Sequence, residues 1–152
     1  MPKIKLKDAI LVSACMLGEP CRYDGKSKPN AAVRELSKTY RLIPVCPEVD
    51  GGLSTPRLPA EIKVASRDEK VYNKCHDDVT EAFVLGARKA FAKAKAHDVK
   101  FAVLKARSPS CGSGVVYDGS FSGILREGDG ITAAFLKKNG ITVITEEELS
   151  RL

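Results

Sequence analysis

Three short apolar runs, each leading to a cysteine, set the strictest condition on how this chain folds. Ala9-Ile10-Leu11-Val12-Ser13-Ala14 runs into Cys15, Leu42-Ile43-Pro44-Val45 into Cys46, and Phe101-Ala102-Val103-Leu104 is followed after six residues by Cys111. Continuous apolar runs of this length are the mark of strands buried on both faces, which occur in parallel sheets covered by helices. In such open sheets ligands bind beyond the carboxyl ends of the strands. Parallel neighbours would therefore bring Cys15, Cys46 and Cys111 to one edge. Ser108-Pro109 is expected to stop the third strand, because proline supplies no ladder N–H, and Ser110, Gly112, Ser113 and Gly114 to let backbone come close to something bulky.

The stretches between the runs read as helices and loops. Asn30 is expected to cap a helix to about Tyr40 with Ala32, Val33 and Leu36 inward, and Asp78 with Glu81 resembles a capping box that opens a helix to about His97. That second helix carries Val79, Phe83, Ala87, Ala90, Phe91 and Ala94 at helical spacing. Thr132 to Lys138 reads as another helix stopped by Asn139-Gly140, and Ile141 to Ile144 as a short strand. Residues 62–72 read as a small strand or hairpin, and Tyr117-Asp118-Gly119 as a hairpin turn. The loop from Met16 to Pro29 is too long to be a passive connection and brings Cys21, Arg22 and Asp24 together. Pro47 and Gly51-Gly52 argue against a regular helix after Cys46, which places Glu48 on an irregular turn. The alternation of elements predicts an α/β fold, a three-layer, Rossmann-like sandwich on a mostly parallel sheet, with residues 1–152 forming one domain.

Five cysteines and no apolar leader long enough for export point to a reducing cytoplasm, where clustered thiols are more often metal-binding or catalytic than paired. Val12-Ser13-Ala14-Cys15 after three lysines imitates a lipoprotein cleavage box, but a signal needs roughly 7–15 apolar residues before the cut. No run approaches the roughly 18 apolar residues of a membrane span. The formal charge of +6 suits a phosphate-bearing substrate or nucleic acid, and equally a mildly basic solvated surface. Arg57 follows suit: it stands ready for an anionic group or for an ion pair with Glu61.

No two of the strand-end cysteines fall in CxxC spacing, so any shared site must be assembled by the fold. Three thiolates suit a soft metal or an iron–sulfur cluster. The plainer alternative is that they are buried structural cysteines. Cys75, with no strand before it, reads as incidental despite its neighbour His76, and His97 as a helix-end residue.

Val12-Ser13-Ala14-Cys15-Met16-Leu17-Gly18, Cys21-Arg22-Tyr23-Asp24-Gly25, Pro44-Val45-Cys46-Pro47-Glu48-Val49-Asp50-Gly51-Gly52-Leu53, Pro56-Arg57-Leu58-Pro59-Ala60-Glu61 and Leu104 to Gly112 together resemble the DUF523 family, the thiouracil desulfurase (TudS) group. The likeness covers almost the whole chain in order. It implies a [4Fe-4S] cluster on three cysteines, which map onto Cys15, Cys46 and Cys111. It also implies non-redox removal of sulfur from thiolated uracil derivatives, giving the uracil form and hydrosulfide. On this reading the enzyme is a desulfidase of small thiolated pyrimidines, and the absence of the extra domain found in larger relatives points to bases, nucleosides or nucleotides rather than tRNA. Glu48 becomes the proton carrier and Ser108 a residue that orients water, with a structural carboxylate and a turn cap as the respective alternatives. Ser110, Arg22, Asp24 and Arg57 are then the candidate substrate-binding residues. Cys21 is left as a bystander or a fourth ligand. A basic RNA-binding module with a structural metal or thiol site is the alternative from another class, weakened by the lack of aromatic residues among the basic ones.

Overall fold

The structure, a computed structural model, describes residues 8–65 and 68–152. The lysines of the lipoprotein-like start lie outside the described residues. Four parallel strands form the central sheet: β1 (Ala9–Ser13), β2 (Arg41–Val45), β5 (Phe101–Leu104) and β8 (Thr142–Thr145), in the order β2-β1-β5-β8. β1 and β5 are the central pair and are buried at every residue, which is why their sequences carry no polar alternation. Pro44 is admitted because β2 lies at the sheet edge.

Helices cover both faces of the sheet. On one side α3 (Thr80–Ala96) and α4 (Ile131–Lys138) pack Ala90, Ala94, Ala133 and Leu136 against Leu11, Ala102, Leu104 and Val143. On the other, α1 (Ala31–Glu35) and the 3-10 turns Ala14–Leu17 and Glu146–Arg151 bring Met16, Val33 and Leu149 onto Ile10, Val12, Phe101 and Ile144. The three-layer α/β expectation holds. Two antiparallel hairpins, β3 (Ala60–Ala65) with β4 (Asp68–Asn73) and β6 (Val115–Tyr117) with β7 (Leu125–Glu127), form separate small sheets. Among the described residues no helix is long and apolar enough to cross a membrane.

Local expectations needed correction where tertiary contacts outweigh pattern. Asn30 does cap α1, accepting from the Val33 N–H at 3.0 Å, but the α-helix ends at Glu35 and tightens into a 3-10 turn, Leu36–Lys38, and Ala32 is exposed. Asp78 accepts from the Thr80 N–H, and no capping box forms with Glu81 at the start of α3. The strand β5 ends at Leu104, well before Ser108-Pro109: the next two amides turn away from the ladder, Lys105 N–H donating to Ser13 Oγ and Ala106 N–H to Glu146 Oε1. The turn at Tyr117-Asp118-Gly119 is the start of a longer loop to Leu125 rather than a tight hairpin turn. After Cys46 there is a short regular helix, α2 (Pro47–Asp50), because Pro47 falls on its first position, where a missing N–H and a fixed φ are favourable.

Candidate active site

The parallel register places the carboxyl ends of β1, β2 and β5 side by side, Ser13 opposite Val45 and Val12 opposite Val103. Cys15 follows β1 on a 3-10 turn, Cys46 is the residue before α2, and Cys111 sits on the turn after β5. All three line one cleft of about 410 Å³ that is also lined by Ser13, Cys21, Arg22, Glu48, Arg57, Glu61, Lys105, Ser108, Ser110 and Tyr117. Cys15 and Cys111 are buried, Cys46 and Cys21 partly so, and Cys75 is exposed and outside the cleft.

The sequence folds this way because each cysteine loop is tied by its own polar side chains. Ser108 Oγ accepts from the Ser110 and Cys111 amides at 3.2 and 3.1 Å, closing the Cys111 turn as a hydroxyl cap. Gly112 is required there for a different reason from the one expected. A Cβ at this position would meet the Ser108 carbonyl oxygen at 2.7 Å, so the chain packs on itself and the small residue serves the turn rather than a bulky ligand. Lys105 pairs with Glu146 at 2.6 Å, and the same carboxylate holds the Ala106 amide, which anchors the loop after β5 to the 3-10 turn after β8.

A continuous polar chain borders the thiols. Arg57 Nε donates to Glu48 Oε1 at 3.1 Å, Ser110 Oγ donates to Glu48 Oε2 at 3.1 Å, and Ser110 Oγ lies 3.0 Å from Ser108 Oγ and 3.5 Å from Cys111 Sγ. The structure thus brings together Glu48, Ser108, Ser110, Arg22 and Arg57 with the three cysteines. Asp24 is not among the lining residues: it is exposed and accepts from the Lys26 amide across its own turn. The alternative of an Arg57–Glu61 pair is replaced by Arg57–Glu48, while Glu61 accepts from the Gly119 and Phe121 amides. The sequence does not single out Ser13 and Tyr117, which line the cleft, or Glu146, which lies outside the lining and pairs with Lys105. Ser13 is the last residue of a uniformly buried strand, and its only signal was being the one hydroxyl at that strand's carboxyl end.

Burial governs the thiols. It pushes Cys15 up to about 11 and Cys111 up to about 12, in the latter against hydrogen bonds from Ser110 and Ser13. The Cys21 thiol donates to Cys46, and that bond favours thiolate at Cys46 and opposes it at Cys21. Cys46 Sγ also lies 3.6 Å from the Cys21 carbonyl oxygen. Two neutral, desolvated thiols and one thiolate-prone partner form a soft donor set that positive charge would relieve. Among the described residues no group of three or more His, Cys, Asp or Glu side chains is disposed to hold a single metal ion. Three thiols converging on one cleft are the donor set of a soft-metal or iron–sulfur group.

The basic side chains at the cleft fall into two sets. Arg57, Lys105 and Arg107 are paired with Glu48, Glu146 and Glu147. Arg22 and Lys28 form no ion pair among the described residues, and Arg22 instead lies over the Tyr23 ring at 5.9 Å.

Comparison with known proteins gives the same site a context. The family model described as 2-thiouracil desulfurase matches residues 10–148. The chain is 44% identical over 147 residues to the uncharacterized protein YbbK of Bacillus subtilis (strain 168), covering 93% of this chain and 97% of that one. It is also similar to the solved structure of the [4Fe-4S]-dependent thiouracil desulfidase TudS (DUF523Vcz), with a TM-score of 0.85 and 42% identity over 96% of this chain and 95% of that one.

Proposed function

The chain belongs to the 2-thiouracil desulfurase family, and from that premise we propose that Cys15, Cys46 and Cys111 hold the [4Fe-4S] cluster of a thiouracil desulfidase whose proton carrier is Glu48. The observation that carries the site assignment is the convergence of the three strand-end thiols on one cleft with Glu48 and Ser110 hydrogen-bonded beside them. Held by Cys15, Cys46 and Cys111, such a cluster would supply a Lewis acid toward a thiocarbonyl sulfur.

The overall reaction is hydrolytic: water oxygen replaces sulfur on the ring carbon, sulfur leaves as hydrosulfide, and no electrons are transferred. What the protein must do is orient water, accept its proton and return one to a ring nitrogen or the departing sulfur. Glu48 meets the positional demand, since each carboxylate oxygen holds one donor, Arg57 on Oε1 and Ser110 on Oε2, and keeps a lone pair for water or substrate. Ser110 is donor to that carboxylate, and Ser108, already closing the Cys111 turn, lies one hydroxyl further along. Arg22 and Lys28, which form no ion pair among the described residues, support binding of an anionic group, and with it nucleotide forms of the substrate as well as the base. Reduced thiols of this kind persist in a reducing compartment, which supports a cytoplasmic setting.

The test is a Glu48→Gln variant reconstituted under anaerobic conditions. It keeps the shape of the side chain but cannot carry a proton, so iron content and visible absorption should match the parent while hydrosulfide release from 2- or 4-thiouracil falls roughly 10²–10⁴-fold. Parental turnover would remove Glu48 from the mechanism. In parallel, Cys15→Ala, Cys46→Ala and Cys111→Ala should each lose iron and activity, whereas Cys75→Ala should keep both.

A further inference from the structure

Arg57 looks in sequence like a hook for a substrate anion, but its guanidinium is committed to the protein on all three nitrogens. Nε donates to Glu48 Oε1 at 3.1 Å, Nη1 to the Ser54 carbonyl at 3.2 Å and to Thr55 Oγ1 at 3.1 Å, and Nη2 to the Cys21 carbonyl at 3.0 Å. Its main-chain N–H donates to the Tyr23 carbonyl at 2.8 Å. The side chain is 8% exposed and that of Glu48 15%, so the pair sits largely out of water. One residue therefore ties the loop carrying Cys21, the 53–59 loop and the helix carrying Glu48 to one another.

We propose that Arg57 is a positioning residue of the desulfuration, which acts on substrate only through the Glu48 carboxylate. A glutamate side chain left to itself explores several rotamers, whereas here Oε1 is gripped from behind by a planar fork that is itself locked by three carbonyl or hydroxyl acceptors. That grip turns Oε2 toward Ser110 and the thiol-lined cleft, and placement of this quality is what an acid–base step requires. Lysine cannot substitute. It carries the charge, but as a point with no fork, and cannot hold Glu48, Cys21 and the Ser54-Thr55 turn simultaneously.

The inference rests on the reading of Glu48 as proton carrier, and a double-mutant cycle separates the two. Parent, Arg57→Lys, Glu48→Gln and the double variant are reconstituted, and iron content, kcat and KM for 4-thiouracil are measured, with Arg57→Gln as a second substitution. Melting of the four metal-free proteins is followed as well. The expected result is parental iron content in all four, a roughly 10–10²-fold fall in kcat for Arg57→Lys with KM changed less than about threefold, and no further loss beyond about twofold when Arg57→Lys is added to Glu48→Gln. The metal-free melts should likewise be non-additive, Arg57→Lys lowering the transition less in the Glu48→Gln background. Parental turnover by Glu48→Gln would overturn the Glu48 assignment and this inference with it. If Glu48→Gln is slow but Arg57→Lys costs the same factor in both backgrounds, or acts on KM rather than kcat, Arg57 touches substrate directly and only the positioning role is refuted.

Discussion

Replacing Gly86 by alanine should both destabilise the protein and disable the site, although Gly86 is not among the residues that line the cleft. In an exposed helix interior Gly→Ala would gain about 1 kcal/mol. Here the added Cβ would lie 1.9 Å from the Pro47 carbonyl oxygen and 2.7 Å from its carbon, and the helices meet at a second glycine, Gly51, whose Cβ would lie 1.9 Å from the Ala82 carbonyl oxygen. Both obstacles are backbone, so no side chain can swing aside. Ordinary contact begins at 3.4 Å, and α2 must retreat by about 1.5 Å to reach it. Overpacking of this kind costs about 1–3 kcal/mol, and rigid partners place it at the upper end. Set against the propensity gain, the net loss is about 1–2 kcal/mol, or roughly 2–8 °C in melting temperature for a chain of this size. The same retreat carries Glu48 away from Arg57 and Ser110, both 3.1 Å from it, and a misplacement of that size can lower turnover about 10²-fold. Thermal unfolding by circular dichroism and hydrosulfide release by the reconstituted enzyme read the two effects. A Gly86→Ala protein that melts at or above the parent and turns over normally would show that α2 is not wedged on α3 and that Glu48 is held by something else.

Two further outcomes follow from the site. Burial holds Cys15 and Cys111 as thiols up to about 11 and 12, against 9 in the unfolded chain, so above pH 9 the unfolded state binds fewer protons than the folded one. Metal-free protein should therefore keep its stability up to about pH 9 and lose it as pH rises through the folded values, and Cys15→Ala or Cys111→Ala should flatten that decline in melts taken between roughly pH 8 and 11. An equally steep decline in both variants would contradict it. Glu146→Ala leaves the Ala106 amide without its acceptor and Lys105 without its counter-ion, at a cost of about 1–3 kcal/mol. Faster hydrogen exchange at Ala106 and a lower melting temperature should report it, and an unchanged melt would show that the loop after β5 is anchored elsewhere.

The sheet and the meeting of the three thiols were legible in the sequence because both follow from local pattern plus one general rule. Uninterrupted apolar runs at Ala9–Ser13 and Phe101–Leu104 mean strands covered on both faces, and parallel strands send their carboxyl ends the same way, taking Cys15, Cys46 and Cys111 with them. Glu48 was legible for a related reason, since two residues of chain cannot carry it far from Cys46. Partnerships across long separations were not. Arg57 has no sequence signal that chooses Glu48 over Glu61, because the choice depends on how two irregular loops fold back on each other. Glu146 sat in an apparently featureless acidic tail until β8 set it against the loop after β5. Asp24 reads as well as Arg22 in the sequence, yet only the arginine lines the cleft, because the aspartate's carboxylate is used by its own turn. Gly86 and Gly51 are ordinary glycines in the chain and become indispensable only where two backbones approach within the space of a methyl group. Periodicity and backbone chemistry are local and can be read in one dimension, whereas which donor meets which acceptor, and where no Cβ fits, are set by packing of distant segments.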